Sequence, residues 1–189
     1  MKKTLLFLCA ILCMVLSSCE KTETSVQQYT YRINHYEQAT ADLGSPKFAL
    51  LYQEPGDFGT DKWSPLPNKI SGFEFEPGYI YEIDVLGKRI IDRTGTNENN
   101  FKGETYKLKT ISSKTAVAND IPFEVNLRSR QINLYTGANT ADLKILNKIA
   151  IDCGTLCTPL ASAIASNAKD ITGKFKRKSD GSYLLIELN

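Results

Sequence analysis

The chain has 189 residues, with 23 basic and 21 acidic side chains, one histidine and five cysteines. That length suits one domain or two small ones and excludes a multidomain enzyme of ordinary size, while 42% apolar and 10% aromatic residues can bury a core and exclude wholesale disorder. A single histidine excludes a multi-His metal site within the chain and leaves most acid–base schemes one group short.

Taken in order, Met1-Lys2-Lys3 and the unbroken apolar run from Leu5 to Leu16 form the charged and hydrophobic regions of a secretory signal. The run falls well short of the roughly 20 residues a spanning helix needs. Leu16-Ser17-Ser18-Cys19 resembles the lipobox of bacterial lipoproteins. The resemblance implies removal of residues 1–18 and attachment of lipid, palmitate among its acyl chains, to the sulfur and new amino group of Cys19. Ordinary secretion with cleavage nearby, or an uncut anchor, are the alternatives. Several acyl chains, at about 0.8 kcal/mol per buried CH₂, would tether the protein to the cell envelope. Glu20, rather than aspartate, after Cys19 points to the outer membrane over the inner. Loss of Lys2 and Lys3 leaves 21 basic against 21 acidic side chains, so no overall charge favours nucleic acid.

Residues 19–28 are polar and read as a tether. Beyond them two modules are expected, 29–116 and 117–189. Residues 19–86 carry a net charge of −6 and residues 87–189 a net +6, and 13 of the 17 aromatic residues after the signal lie between Tyr29 and Tyr106. In the first module Tyr29, Tyr31 and Ile33 alternate with polar neighbours as on a strand. Lys47–Gln53, Tyr79–Val85 and Thr105–Ile111 are three more, with a Gly/Asn-rich loop over 92–104. In the second module, strands are expected over Pro122–Arg128, Gln131–Tyr135 and Leu143–Ile151. A helix should follow from an N-cap at Thr158, with Pro159 at its first position, to about Asp170. Lys174–Arg177 and Ser182–Leu188 should close as a hairpin around Asp180-Gly181. The fold class is mainly β (α+β), two small antiparallel β-rich lobes with one helix in the C-terminal lobe.

Trp63 followed by Ile70-Ser-Gly-Phe-Glu-Phe-Glu-Pro-Gly-Tyr-Ile-Tyr81 resembles an uncharacterised domain of bacterial envelope lipoproteins, one often found beside META (heat-shock-protein-J-like) modules. The resemblance covers about residues 29–115 and implies an architecture and a location, but no chemistry. The tail, 121–189, is more faintly similar to a META module. There Gly137-Ala-Asn139 stands where that family tends to carry Gly-Cys-Asn, so Ala138 replaces a cysteine and Cys153 is left with Cys157 as its partner.

In an oxidising envelope Cys153 and Cys157 are expected to form a structural disulfide, with free thiols or a redox pair as alternatives. His35 lacks a G-x-S-x-G companion and reads as a surface or structural histidine. The loop residues Asp92, Thr94, Asn97, Glu98, Asn99 and Asn100 are oxygen-rich but lack calcium-loop spacing. Glu54, Asp57 and Asp61 give no sign of the cleft that glycoside chemistry requires. Lys174, Lys176, Arg177 and Lys178 read as a solvated hairpin edge before a lipid or partner contact. Trp63, Tyr79 and Tyr81 are the speculative binding aromatics. No catalytic residue, cofactor or metal is implied. The expected function is therefore a non-enzymatic binding, interaction or structural accessory, in contact with the membrane through lipid and with a protein or glycan partner. An enzyme inhibitor displaying the Glu54–Leu66 loop, or a glycan-binding lipoprotein, comes next, and a hydrolase or thiol redox enzyme last.

Overall fold

The structure, a computed structural model, describes residues 22–42, 45–92 and 100–189, without the side chains of 22, 23, 42, 92 and 100–102. The signal, Cys19 and most of the 92–104 loop with its oxygen-rich side chains lie outside the described residues. The described residues divide between two compact units, one with residues 22–27, 87–92 and 100–105, the other with residues 28–42, 45–86 and 106–189.

Alternating apolar residues build the first sheet. Its strands are β1 (Thr22–Asp42), β2 (Ser45–Gln53), β3 (Ser64–Pro65), β4 (Ile70–Ser71), β5 (Tyr79–Asp92) and β6 (Asn100–Ala116), in the order β3-β2-β1-β5-β6-β4. One face buries Tyr31, Ile33, Tyr81, Ile83, Val85 and Tyr106, with Leu66 and Ile70 in the same cluster. The four strands read from alternation are present, and each runs further than its apolar pattern. β1 begins at Thr22, inside the segment read as a tether. Polar composition there rules out a buried face but not backbone pairing, and Thr22, Thr24 and Val26 are strand formers.

The second sheet contains β7 (Phe123–Ser129), β8 (Ile132–Asn133), β9 (Tyr135–Thr136), β10 (Lys144–Ile145), β11 (Ile149–Asp152), β12 (Ile171–Arg177) and β13 (Tyr183–Leu188), in the order β8-β7-β12-β13-β11-β10-β9. Pairing in the two sheets is mostly antiparallel, but β11 with β13 and β4 with β6 are parallel. The helix α1 (Cys157–Ala165) packs Leu160 into a core with Phe123, Val125, Leu134, Phe175 and Tyr183. Past a register shift between Ile33 and Glu37, β1 also places Ala39 in this core. The described fold is thus mainly β, with two sheets and one helix near the C-terminus.

Three local expectations are corrected. Leu143–Ile151 is two strands, because Leu146 and Asn147 turn at φ of 45° and 58°. The helix starts at Cys157, directly after a 3₁₀ turn over Gly154–Leu156, so Thr158 lies within it and Pro159 in its first turn, where a missing N–H costs nothing. It also ends at Ala165 rather than near Asp170, since the Ser166 N–H closes on Ser162 and Ala163 and Arg128 takes the carbonyls beyond. Finally β12 is flanked by β7 and β13, so the lysine-rich run is not on a sheet edge.

Candidate functional site

Arg32 leaves β1 on the face opposite Tyr31 and Ile33, away from the first core. It stands in register with Gln53 of β2, so the two side chains share that face. Gln53 is only 2% exposed, and its Nε2 donates to the Thr60 carbonyl at 2.7 Å and to the Lys62 carbonyl at 3.1 Å. These bonds fold the 54–63 loop back over the Arg32 face. A 3₁₀ turn over Pro55–Asp57 and the Thr60 hydroxyl, which donates to the Asp57 carbonyl at 2.8 Å, stiffen the same loop. The loop sets Asp61 and a half-buried Trp63 at one wall of an open groove of about 720 Å³.

The other walls come from distant parts of the chain: Ile80 of β5, Ile121 and Glu124 around the start of β7, and Lys174 of β12. Asn34, His35, Tyr36 and Phe123 also line it. Asn34 is buried, and its Oδ1 accepts the His35 backbone N–H at 2.8 Å, which leaves its NH₂ as the donor end. Arg32 has no ion-pair partner among the described residues, and its buried Nε has no hydrogen-bond partner; nor has Oε1 of Gln53.

His35 packs edge-to-face on Tyr36 and Phe123, with ring centres 5.1 and 5.4 Å away. Burial, and after it the charge of Arg177, push its pKa down to about 4. The ring is therefore neutral at neutral pH. Burial and the neighbouring Glu124 push the Tyr36 hydroxyl up to about 12, so it too stays uncharged. The groove's ionised lining reduces to Arg32 and Lys174 against Asp61 and Glu124.

Tyr79 and Tyr81 lie on the opposite face of β5 from Ile80, so the sheet separates them from Trp63. Tyr81 is buried and accepts the Glu76 N–H at 3.2 Å. Tyr79 lines a second cavity, about 520 Å³, beside Glu76, Arg177 and Tyr183, with the Lys114 ammonium 4.1 Å from its ring centre. That cavity is organised around the Pro77-Gly78 turn. The Gly78 N–H donates to the His35 carbonyl at 2.7 Å, and its carbonyl accepts from Val117 at 2.8 Å. Arg177 grips the turn by donating to the Pro77 carbonyl, while its Nε donates to Asn119 at 2.9 Å. Gly78 has φ of 93°, and a Cβ there would lie 1.5 Å from the Arg177 guanidinium. The positive φ favours glycine at this turn, and a side chain there would displace the end of Arg177 from it.

The remaining sites have structural surroundings. Cys153 and Cys157 are disulfide-bonded, with Cα atoms 4.9 Å apart, and Cys153 belongs to the second core. In the basic run, Lys174 pairs with Glu187 at 3.3 Å and Lys178 with Asp152 at 2.8 Å, and Arg177 holds the Pro77 turn. Of Glu54, Asp57 and Asp61, only Asp61 lines the groove. Among the described residues no three His, Cys, Asp or Glu side chains gather as metal ligands. Arg32 and Asn34 were not legible as site residues. Their one signal is position, as polar side chains on the outward face of a strand whose inward face is Tyr31 and Ile33.

Comparison of the chain with protein-family models, curated proteins and solved structures finds no match in any of the three.

Proposed function

We propose that the chain is a lipid-anchored protein of the bacterial cell envelope that acts by binding rather than catalysis, with the groove beside Trp63 as its binding surface. The observation that carries the reading is the groove itself. It is open and walled by a stiffened loop, it displays the chain's single tryptophan, and its only histidine is neutral with a pKa of about 4. A base that weak takes up protons poorly near neutral pH, which leaves the groove suited to holding a ligand. The lipobox-like Leu16–Cys19 supports the location, and the Ile70–Tyr81 pattern supports kinship with envelope lipoproteins.

Two measurements test the reading. Cys19→Ala in the full chain should move the protein from the membrane to the soluble fraction and abolish labelling by radioactive palmitate; unchanged membrane partition contradicts the anchor. Mature protein incubated with cell-surface polysaccharide and protein fractions should gain hydrogen-exchange protection at 59–63 without altering either fraction. Products whose formation stops in His35→Gln or Asp61→Asn would make the protein an enzyme. The anchoring of the Glu54–Leu66 loop by Gln53 supports a second reading, an inhibitor that presents this loop to an enzyme. Inhibition of a surface hydrolase that is lost on shortening the loop distinguishes it.

A further inference from the structure

We propose that the Trp63 groove takes a saccharide, with a sugar ring against the indole and its hydroxyls on Arg32, Asn34, Asp61 and Glu124. The inference rests on the groove being the binding surface, and it adds the chemical class of the ligand. Three observations carry it.

The first is charge. Arg32 and Lys174 line the groove against Asp61 and Glu124, and Lys174 is also paired with Glu187, so no strong charge of one sign faces a ligand. A strongly anionic or cationic partner would meet like charge as well as unlike. A neutral ligand with many hydroxyls meets only hydrogen-bonding groups.

The second is the type of polar side chain. Arg32, Asn34, Asp61 and Glu124 all end in planar groups with paired donors or acceptors. Neighbouring hydroxyls on a sugar ring, each both donor and acceptor, match such paired groups. Arg32 is the sharpest case, a half-buried fork of N–H donors with no carboxylate partner among the described residues. Asn34 is 4% exposed and held by the His35 N–H, so it is preset rather than mobile.

The third is Trp63. An apolar indole at a half-exposed position, on a loop fastened by Gln53, is a rigid flat surface. The C–H face of a pyranose is apolar and of similar width, so stacking removes apolar area from water while the ring hydroxyls stay free to bond. The loss of ordering entropy is small because the loop is fixed before the ligand arrives.

Trp63 is the only tryptophan, so intrinsic indole emission reports on this groove alone. The experiment titrates the intact mature protein with α-glucan, β-glucan, mannan, chitin and uronate oligosaccharides, following emission and, in parallel, calorimetric heat. A saturating change with at least one of them is expected. Arg32→Ala and Trp63→Ala should each weaken that binding by about tenfold or more in calorimetry. Trp63→Phe should retain most of it, and Lys114→Ala in the Tyr79 cavity should not change it. Circular dichroism identifies any variant that fails to fold; Asp61→Asn, at an exposed position, then serves in its place with the same expected loss. Emission and heat that stay flat across the whole panel overturn the proposal, as does binding that survives every groove substitution. If the panel is flat but a protein fraction protects 59–63 from exchange, the groove still binds and only the saccharide is wrong. If both are flat, the binding surface itself is wrong.

Discussion

Arg128 is buried, yet each N–H of its guanidinium is used. Nε donates to Asn133 at 2.7 Å, Nη1 to the carbonyls of Ser166 and Ala168 at 2.8 and 3.2 Å, and Nη2 to the carbonyl of Ile164 at 2.7 Å and the Tyr135 hydroxyl at 3.3 Å. It thereby closes the C-terminal end of α1, where carbonyls have no partner inside the helix and a positive charge is favourable. Arg128→Ala strands those carbonyls, and a loss of about 2–3 kcal/mol is expected in urea denaturation; a variant with wild-type midpoint would contradict this role. No sequence pattern announces such an arginine, since its partners are up to 40 residues away. His35 gives a second prediction. Its folded pKa of about 4 lies below the ordinary 6.5, so the unfolded chain binds the proton more readily. The neutral ring's stability is full above pH 6.5 and is lost as pH falls from there to about 4, by up to about 3 kcal/mol. His35→Gln should flatten the pH dependence over that window, and an unchanged slope would show that the ring is not buried.

Among the elements, strands were legible where one face is apolar and the other wet, as at Tyr29–Ile33 and Tyr79–Val85. The closing hairpin was legible too, because Asp180 accepts both the N–H and the hydroxyl of Ser182 while Gly181 turns at φ of 83°. Turns made by unsuited residues were not. Between β7 and β8 the chain reverses over Arg130 and Gln131, both with positive φ, where Asn-Gly would be the usual signal. The Asp170 carboxylate and the Lys169 carbonyl accept their two N–H groups at 2.8 Å and hold the turn from outside. The helix likewise ended early because its last carbonyls are answered from another strand. The disulfide closes a loop of only a few residues, so by loop entropy Cys153→Ser with Cys157→Ser should cost about 2 kcal/mol. Groove binding should be unaffected, and loss of binding in the folded double variant would give the pair a role beyond stability.

On the scale of the whole molecule, the groove was not legible because no segment contains it. Arg32 and Asn34 come from β1, Trp63 from a loop fastened by Gln53, Glu124 from the start of β7 and Lys174 from β12. Of the three aromatics singled out in the sequence, Trp63 faces this groove, whereas Tyr81 is buried and Tyr79 lines another cavity. Net charge was similarly uninformative: the local mixture of Arg32 and Lys174 with Asp61 and Glu124 shapes the site, and the −6 and +6 halves of the sequence do not. The most direct measurement of the central claim is an NMR titration of the mature protein with the saccharide that most strongly perturbs Trp63 emission. Amide shifts confined to 32–36, 59–63 and 121–124 are the predicted result. Shifts centred on Gly78, Tyr79 and Arg177–Tyr183, or spread evenly without saturation, would contradict it.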